Sequence, residues 1–337
     1  MKKLFLTFVF AIVATLTVMA QQISVVSTTG ATSLYRTLQE AIEGADPGSV
    51  IYLPGGGFNI SDEVKITKKL TIIGIGHYVK SGNVDGITTI FGSLWFNEGS
   101  SGSAVMGCYI TGDVNIGEGG ASINDVLIRY CNLNSVQVKN SSCSDVIVNQ
   151  NYIRNLSHFS SSPTKVTNNV CLRLSSISGG IVSNNIITYI SSYNGPVIVS
   201  INNSVFCDNI ILNSQSDTYG YYSTFSSFSN NTCTGNMVFR YQYNEQQCLP
   251  NDVINMTVQG WTEVFVNANG GAISPVSNFN FKEDYQQYSS CGIYGGTGFN
   301  DNQLAPVPYI IAKRVDEQTD ASGKLNVKIR VKASGDE

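Results

Sequence analysis

From residue 105 onward the chain repeats a six-residue pattern: apolar, any, any, Asn or Cys, any, apolar. Seven copies line up, Val105 to Ile110, Ile128 to Leu133, Val148 to Ile153, Val166 to Cys171, Val182 to Ile187, Phe206 to Ile211 and Phe228 to Cys233. Their starts lie 23, 20, 18, 16, 24 and 22 residues apart. A strict short-repeat solenoid would keep one period; this scatter suits coils whose turns absorb insertions, each copy forming one rung. The fourth position reads Cys108, Cys131, Asn151, Asn169, Asn185, Asn209 and Asn231. Five consecutive asparagines at one turn predict a ladder. Stacked at the strand spacing of ~4.8 Å, each amide donates to the next and satisfies turn backbone groups, so no ligand is needed to explain them.

Upstream, Thr32 to Gly44 reads as an amphipathic helix with Leu34, Leu38, Ala41 and Ile42 on one face and Gly44 at its end. Such a helix would cap the open first coil, where a solenoid exposes an apolar cross-section and unpaired strand edges. Short β-branched runs follow: Val50 to Leu53, Val64 to Ile66, Leu70 to Ile73 and Thr88 to Phe91, separated by Gly-rich turns such as Pro54-Gly55-Gly56-Gly57. Beyond Pro306 the pattern changes to strict alternation. Tyr309 to Val315 and Leu325 to Val331, joined by Asp320-Ala321-Ser322-Gly323, predict a terminal hairpin, either covering the second open end of the solenoid or serving as a surface or secretion element, the first reading being preferred.

Only 13% of residues are charged, about half the usual ~25%, while Asn, Ser, Gly, Ile and Val abound, as stacked strands with polar turns require. The formal net charge of −4, with no Lys/Arg cluster interleaved with aromatics, argues against nucleic acid as a partner. The amino terminus has the form of an export signal: Lys2 and Lys3, an apolar run from Leu4 to Val18, and small residues to Ala20. That run is shorter than the roughly 18 to 20 residues a spanning helix needs, so the expectation is cleavage near Ala20, export to the periplasm, cell surface or medium, and no membrane span.

Three segments together resemble a known family. Leu38-Gln39-Glu40-Ala41-Ile42, Asp46 through Gly56 and Leu70-Thr71-Ile72-Ile73-Gly74 are similar to the amino-terminal cap and first coils of pectate-lyase-like β-helix proteins. The Asn-Ile-Ile rungs at 185 and 209 look alike, and Phe265-Val266-Asn267 with Phe279-Asn280-Phe281-Lys282 resembles a closing coil of secreted bacterial members. The likeness spans roughly residues 30 to 300. It implies an all-β fold, a single-stranded right-handed parallel β-helix over 21–304, with the capping helix at about 32–44 and a tail or hairpin at 305–337.

Members that cleave pectin-like polymers imply two toolkits. The hydrolase set resembles Asn-x-Asp, a paired Asp, Gly-His-Gly and Arg-x-Lys, supplying a general acid, a base and carboxylate clamps. This chain has Asn83-Val84-Asp85 and Arg330-Val331-Lys332, but no adjacent Asp pair, and its only histidines are His77 and His158. The lyase set implies carboxylates holding Ca²⁺ against an acidic sugar beside a proton-abstracting Arg or Lys. Asp125 and Asp145 come nearest, each three residues before a rung and so stacked about 5 Å apart, with Arg129 close in sequence. The plainer account makes them solvated turn residues, where Asp bonds local backbone. No Cys-x-x-Cys or His spacing indicates a metal site.

A second candidate is aromatic. Tyr219, Tyr221, Tyr222, Arg240, Tyr241 and Tyr243 would stack on sugar rings if exposed, or pack as a loop over the solenoid if buried. Eight cysteines invite disulfides; Cys108 and Cys131 on adjacent rungs fall within bridging range, and Cys248 and Cys291 would staple the closing coils. The leading functional expectation is an exported module that binds polysaccharide or surface glycan without catalytic machinery. A polysaccharide lyase or glycoside hydrolase is the alternative, and a structural or host-interaction scaffold the third.

Overall fold

The inward-facing positions of the repeat are buried as a continuous stack. Ile51, Ile72, Val105, Ile128, Val148, Val166, Val182 and Phe206 are all 0% exposed. In the computed structural model these residues lie in successive parallel strands of one sheet, here sheet A. The structure describes residues 22–60, 64–78, 86–157, 164–189, 198–213, 225–239, 253–256, 261–268, 275–301, 303–305, 307–315, 318–319 and 322–333. Sheet A has eleven strands and sheet B fourteen, and from Val50 to Met256 every pairing within them is parallel. The chain alternates between the two, Ala104–Met106 in A, Tyr109–Ile116 in B, Leu127–Arg129 in A, Asn132–Val138 in B, an arrangement compatible with a β-helix.

Sheet B carries two columns of strands. In the middle rungs one long strand serves both, and a register shift between Ile110 and Asp113 marks the bend, at Gly112. In other rungs the two columns are separate strands, as in Thr88–Phe91 and Leu94–Phe96. Val114, Val136, Leu156, Leu174 and Ile198 fill the inner side of the second column at 1% exposure or less. Each such side chain contributes about 1.5–3 kcal/mol by burial, which is how short three- and four-residue strands hold together.

The Asn ladder exists, one turn later at its end than the repeat predicts. Asn151 donates to Asn169, Asn169 to Asn185, Asn185 to Asn209 and Asn209 to Asn236, each at 2.9–3.0 Å, and all five are fully buried. The seventh repeat is therefore Cys233 to Val238: the sheet register aligns Phe206 with Cys233, not with Phe228. Asn231 instead accepts from Ser204 N at 2.9 Å and donates to Ile201 O at 2.7 Å, outside the ladder. The same register puts Cys171 in sheet B and Cys233 in sheet A, so they do not share a column.

Cys108 and Cys131 continue the ladder with thiols. Cys131 Sγ lies 3.3 Å from Arg129 O and 3.7 Å from Val105 O, the positions that Asn151 Nδ2 reaches as Asn149 O and Ile128 O. Both thiols are free, which corrects the expected disulfide; the pair meets backbone carbonyls instead. Cys291 is free too, and Cys248 lies outside the described residues.

The amino-terminal helix is shorter than expected. Thr37 caps it, its side chain accepting from Glu40 N while Glu40 returns to Thr37 N, and the helix runs Leu38–Gly44. Thr32–Tyr35 is a strand paired antiparallel with Ile23–Val26, and Leu34, expected on the apolar helix face, is 57% exposed. Leu38, Ala41 and Ile42 do enter the core.

The carboxy-terminal segments depart furthest from expectation. Phe265–Asn267 and Asn278–Phe281 pair antiparallel with each other rather than adding a parallel coil. With Cys291 and Ile293 they form a second apolar core over the outer row Tyr152, Val170, Ile186, Ile210 and Met237 of sheet B. From there residues 290–305 run back along the turn between the sheets. Gly292 N donates to Asp208 O, Asn184 Nδ2 to Ser290 O, Asn168 Nδ2 to Ile293 O and Gly295 O, and Asn300 N to Gln150 Oε1. His77 bonds Gln303 at 3.1 Å, and Leu304 and Ala305 reach the turns at Gly76 and Gly107. The strap ends several rungs back, which places the root of the hairpin, Pro308–Val315 with Val327–Ala333, at Gly107 rather than over the last coil.

Candidate functional site

A column of left-handed turn residues explains where several of the polar side chains stand. Gly102, Asp125, Gly179, Asn203 and Asn230 each lie two residues before a strand of sheet A, and Asp145 one residue before, all with φ between 51° and 77°. Only Gly, Asn and Asp adopt that region readily, so the column selects them. Asp125 and Asp145 stand in register on consecutive strands, as their spacing implies, but both are exposed, and Ser144 Oγ bonds the Asp145 carboxylate at 2.9 Å. Arg129 does not join them. It lies four residues along an extended strand from Asp125, about 13 Å, and its guanidinium sits 4.4 Å from the Tyr130 ring centroid. Among the described residues no group of three His, Cys, Asp or Glu could hold a metal, so a Ca²⁺ cluster on this pair has no third carboxylate.

Tyr219, Tyr221, Tyr222, Arg240, Tyr241 and Tyr243 lie outside the described residues, as does Asn83-Val84-Asp85. Arg330 and Lys332 are exposed on the hairpin.

The polar side chains that do converge are on the outer face of sheet B. Around the second column, the strands present two rows flanking the buried Val114, Val136, Leu156, Leu174 line. One row is Asp113, Ser135, Asn155 and Arg173; the other runs Lys65, Trp95, Asn115, Gln137 and Ser157. A groove of about 530 Å³ lies over the first row and the Gln137–Ser157 end of the second, lined by Asp113, Asn134, Gln137, Asn155, Arg173 and Ser175 among others. A smaller recess of about 210 Å³ continues it past Asn134 to Tyr109, Thr111, Asn132 and Arg154.

Asp113 is the organised group in this groove. Its backbone N–H donates to Ser93 Oγ at 3.0 Å, and its carboxylate accepts from Asn134 Nδ2 at 2.8 Å and from Gln137 Nε2 at 3.3 Å; Gln137 also bonds Ser135 at 2.9 Å. Arg173 stands three strands away, ~14 Å, with an enclosed Nε that makes no hydrogen bond among the described residues. Asp113 and Arg173 are thus too far apart to act on one bond. The groove offers acceptors, amide donors and guanidinium groups along a line at strand spacing; Trp95 stands farther along the second row, outside the groove lining, its Nε1 without a hydrogen bond among the described residues. This is hydrogen-bonding chemistry for hydroxyl-rich ligands, not a nucleophile with its base.

The repeat alone did not reveal this groove, because its residues lie after each six-residue copy. The signal present in the sequence was alternation: Asp113-Val114-Asn115-Ile116, Ser135-Val136-Gln137-Val138 and Asn155-Leu156-Ser157 place polar residues either side of a buried one.

His77 is the other unusual group, 5% exposed, edge-on to Tyr152 at 5.7 Å, its Nδ1 without a hydrogen bond among the described residues. Burial holds its pKa down at about 4, only partly opposed by the Gln303 hydrogen bond, so it is a neutral anchor for the strap. Against known proteins, no family model matches the chain, and neither a curated protein nor a solved structure does.

Proposed function

We propose that this chain is an exported right-handed β-helix of the pectate-lyase-like kind that binds carbohydrate along the outer face of sheet B. The observation that carries the reading is the Asp113 network: a carboxylate fixed by Asn134 and Gln137 within a groove of stacked amide and hydroxyl side chains. Fixed acceptors and amide donors at regular spacing suit sugar hydroxyls. The amino-terminal leader supports export. Fold alone does not assign the activity, so the site must carry it.

The catalytic reading has less behind it. Cleavage needs either two carboxylates about 5–10 Å apart or a carboxylate cluster with a base, and Asp113 is the lone carboxylate lining the groove among the described residues. The test is a glycan array with the mature protein beside the variants Gln137→Ala and Asn155→Ala, followed by product analysis on every polysaccharide retained. Retention without new reducing or unsaturated ends, weakened in both variants, is the expected result. Retention unchanged in both variants would remove the groove from the account, and released ends would make the protein an enzyme.

A further inference from the structure

The hairpin at the carboxy terminus is sharply two-faced. Along its second strand Lys328, Arg330 and Lys332 alternate with Val327, Ile329 and Val331, and all six side chains are exposed. The cations therefore project from one face at intervals of about 7 Å. Arg314, also exposed, stands opposite Lys328 in the register. The stretch from Lys313 to Lys332 holds six Lys and Arg against three acids, net +3, while the remainder of the chain holds 14 against 21, net −7. Basic charge is concentrated on this element.

Its position gives the concentration a meaning. The strap carries the chain back to Gly107, where Ala305 packs, and Tyr109 of the smaller recess is two residues from that turn. Thus the hairpin is rooted beside one end of the groove, and Arg154 and Arg173 extend the positive charge along it.

We propose that the cationic face of the hairpin is a second contact for the groove's ligand, which makes that ligand an anionic polysaccharide; the inference rests on the groove reading above. A polymer bearing one carboxylate or sulfate per sugar or fewer is repelled less by the net −7 of the remainder than a duplex carrying a charge every ~1.7 Å. A lipid surface fits poorly. To lie on one, the hairpin would bury Val327, Ile329 and Val331 and turn its cations away from the headgroups.

The experiment measures binding of the mature protein to alginate, dextran sulfate and uncharged dextran at several salt concentrations, with the triple variant Lys328→Glu, Arg330→Glu, Lys332→Glu and the groove variant Gln137→Ala. The three hairpin residues are exposed, so the triple variant keeps the wild-type circular dichroism and melting temperature. Wild type binds the two anionic polymers with an affinity that falls with salt. The triple variant binds about tenfold more weakly with a flatter salt dependence, whereas Gln137→Ala loses affinity with the salt dependence intact. A triple variant that binds like wild type overturns the hairpin contact and leaves the groove reading standing. Dextran bound as tightly as its sulfate overturns the anionic assignment alone. Tighter capture of phosphatidylserine vesicles or duplex DNA by the hairpin face overturns the choice of partner, and wild type retained by none of the three polymers overturns both this inference and the reading on which it rests.

Discussion

Asn169 sits at the middle of the buried ladder, and replacing it with Ala removes groups on both sides. Its Oδ1 accepts from Asn151 N and Asn151 Nδ2, both at 3.0 Å, and its Nδ2 donates to Val148 O at 2.8 Å and Asn185 Oδ1 at 3.0 Å. With the amide gone, the Asn151 backbone N–H has no partner and Asn151 Nδ2 keeps only its carbonyl contacts; Val148 O loses a donor. These atoms lie at a fully buried turn, where water does not replace the lost bonds. At roughly 1–3 kcal/mol for an orphaned buried donor, with the Asn151 N–H dominating and smaller losses at Val148 O and Asn185 Oδ1, Asn169→Ala destabilises by about 2–4 kcal/mol. Asn231→Ala is the control. It loses two hydrogen bonds of similar length, but at a half-buried turn that solvent reaches, so it costs about 1 kcal/mol. Equilibrium unfolding in urea, with equal m-values checked for each variant, reads the difference directly. Asn236→Ala, at the last rung of the true ladder, should fall nearer to Asn169→Ala than to Asn231→Ala. Equal losses at 231 and 236 would refute the register and with it the ladder energetics.

Three further outcomes follow from individual groups. The His77 imidazole has a folded pKa near 4 against 6.5 when exposed, so its contribution is complete above pH 6.5 and lost as pH falls toward 4, to the extent of about 3 kcal/mol. The variant His77→Gln should flatten stability between pH 7 and 4, measured by urea unfolding at each pH; an unchanged slope would show that His77 is not the titrating anchor. Burial pushes the Cys131 thiol up to about 12, and Cys108 well above its ordinary range, so neither should react with iodoacetamide at pH 8 until the protein unfolds; rapid labelling, or a Cys108–Cys131 disulfide found by mass spectrometry, would contradict the ladder geometry. Asn184→Ala removes the 2.7 Å bond to Ser290 O and places Ala at φ 56°, so hydrogen exchange across residues 290–301 should accelerate by about tenfold while sheet A stays protected. Protection of the strap equal to wild type would mean that Asn184 does not hold it.

Much of this architecture was written locally. A rung needs apolar residues at fixed offsets and a ladder residue that can both donate and accept, and those demands fall within six adjacent residues, so Val105 to Ile110 and its successors declare themselves. The alternation Asp113-Val114-Asn115-Ile116 likewise marks a half-buried strand. Where two local solutions compete, the sequence is silent: Phe228-x-x-Asn231-x-Cys233 and Cys233-x-x-Asn236-x-Val238 both satisfy the pattern, and only pairing with Phe206 selects the second. The capping box at Thr37 and Glu40 was equally local, yet Leu34 read as helical because its spacing fits a helix; pairing with Ser24 made it part of a strand.

What the tertiary structure alone decided are the meetings of residues far apart in the chain. Asp113 gains its role from Asn134 and Gln137, two strand residues 21 and 24 positions on, and His77 from Gln303, 226 positions away. The strap residues 290–305 carry no strong period of their own, because they answer to the turns they cross, the Asp208 carbonyl and then the side chains of Asn184, Asn168 and Gln150 in succession. A sequence records the demands that a residue's neighbours in the chain place on it. The groove and the hairpin's station beside it arise from stacking those neighbours at strand spacing, which no single rung contains.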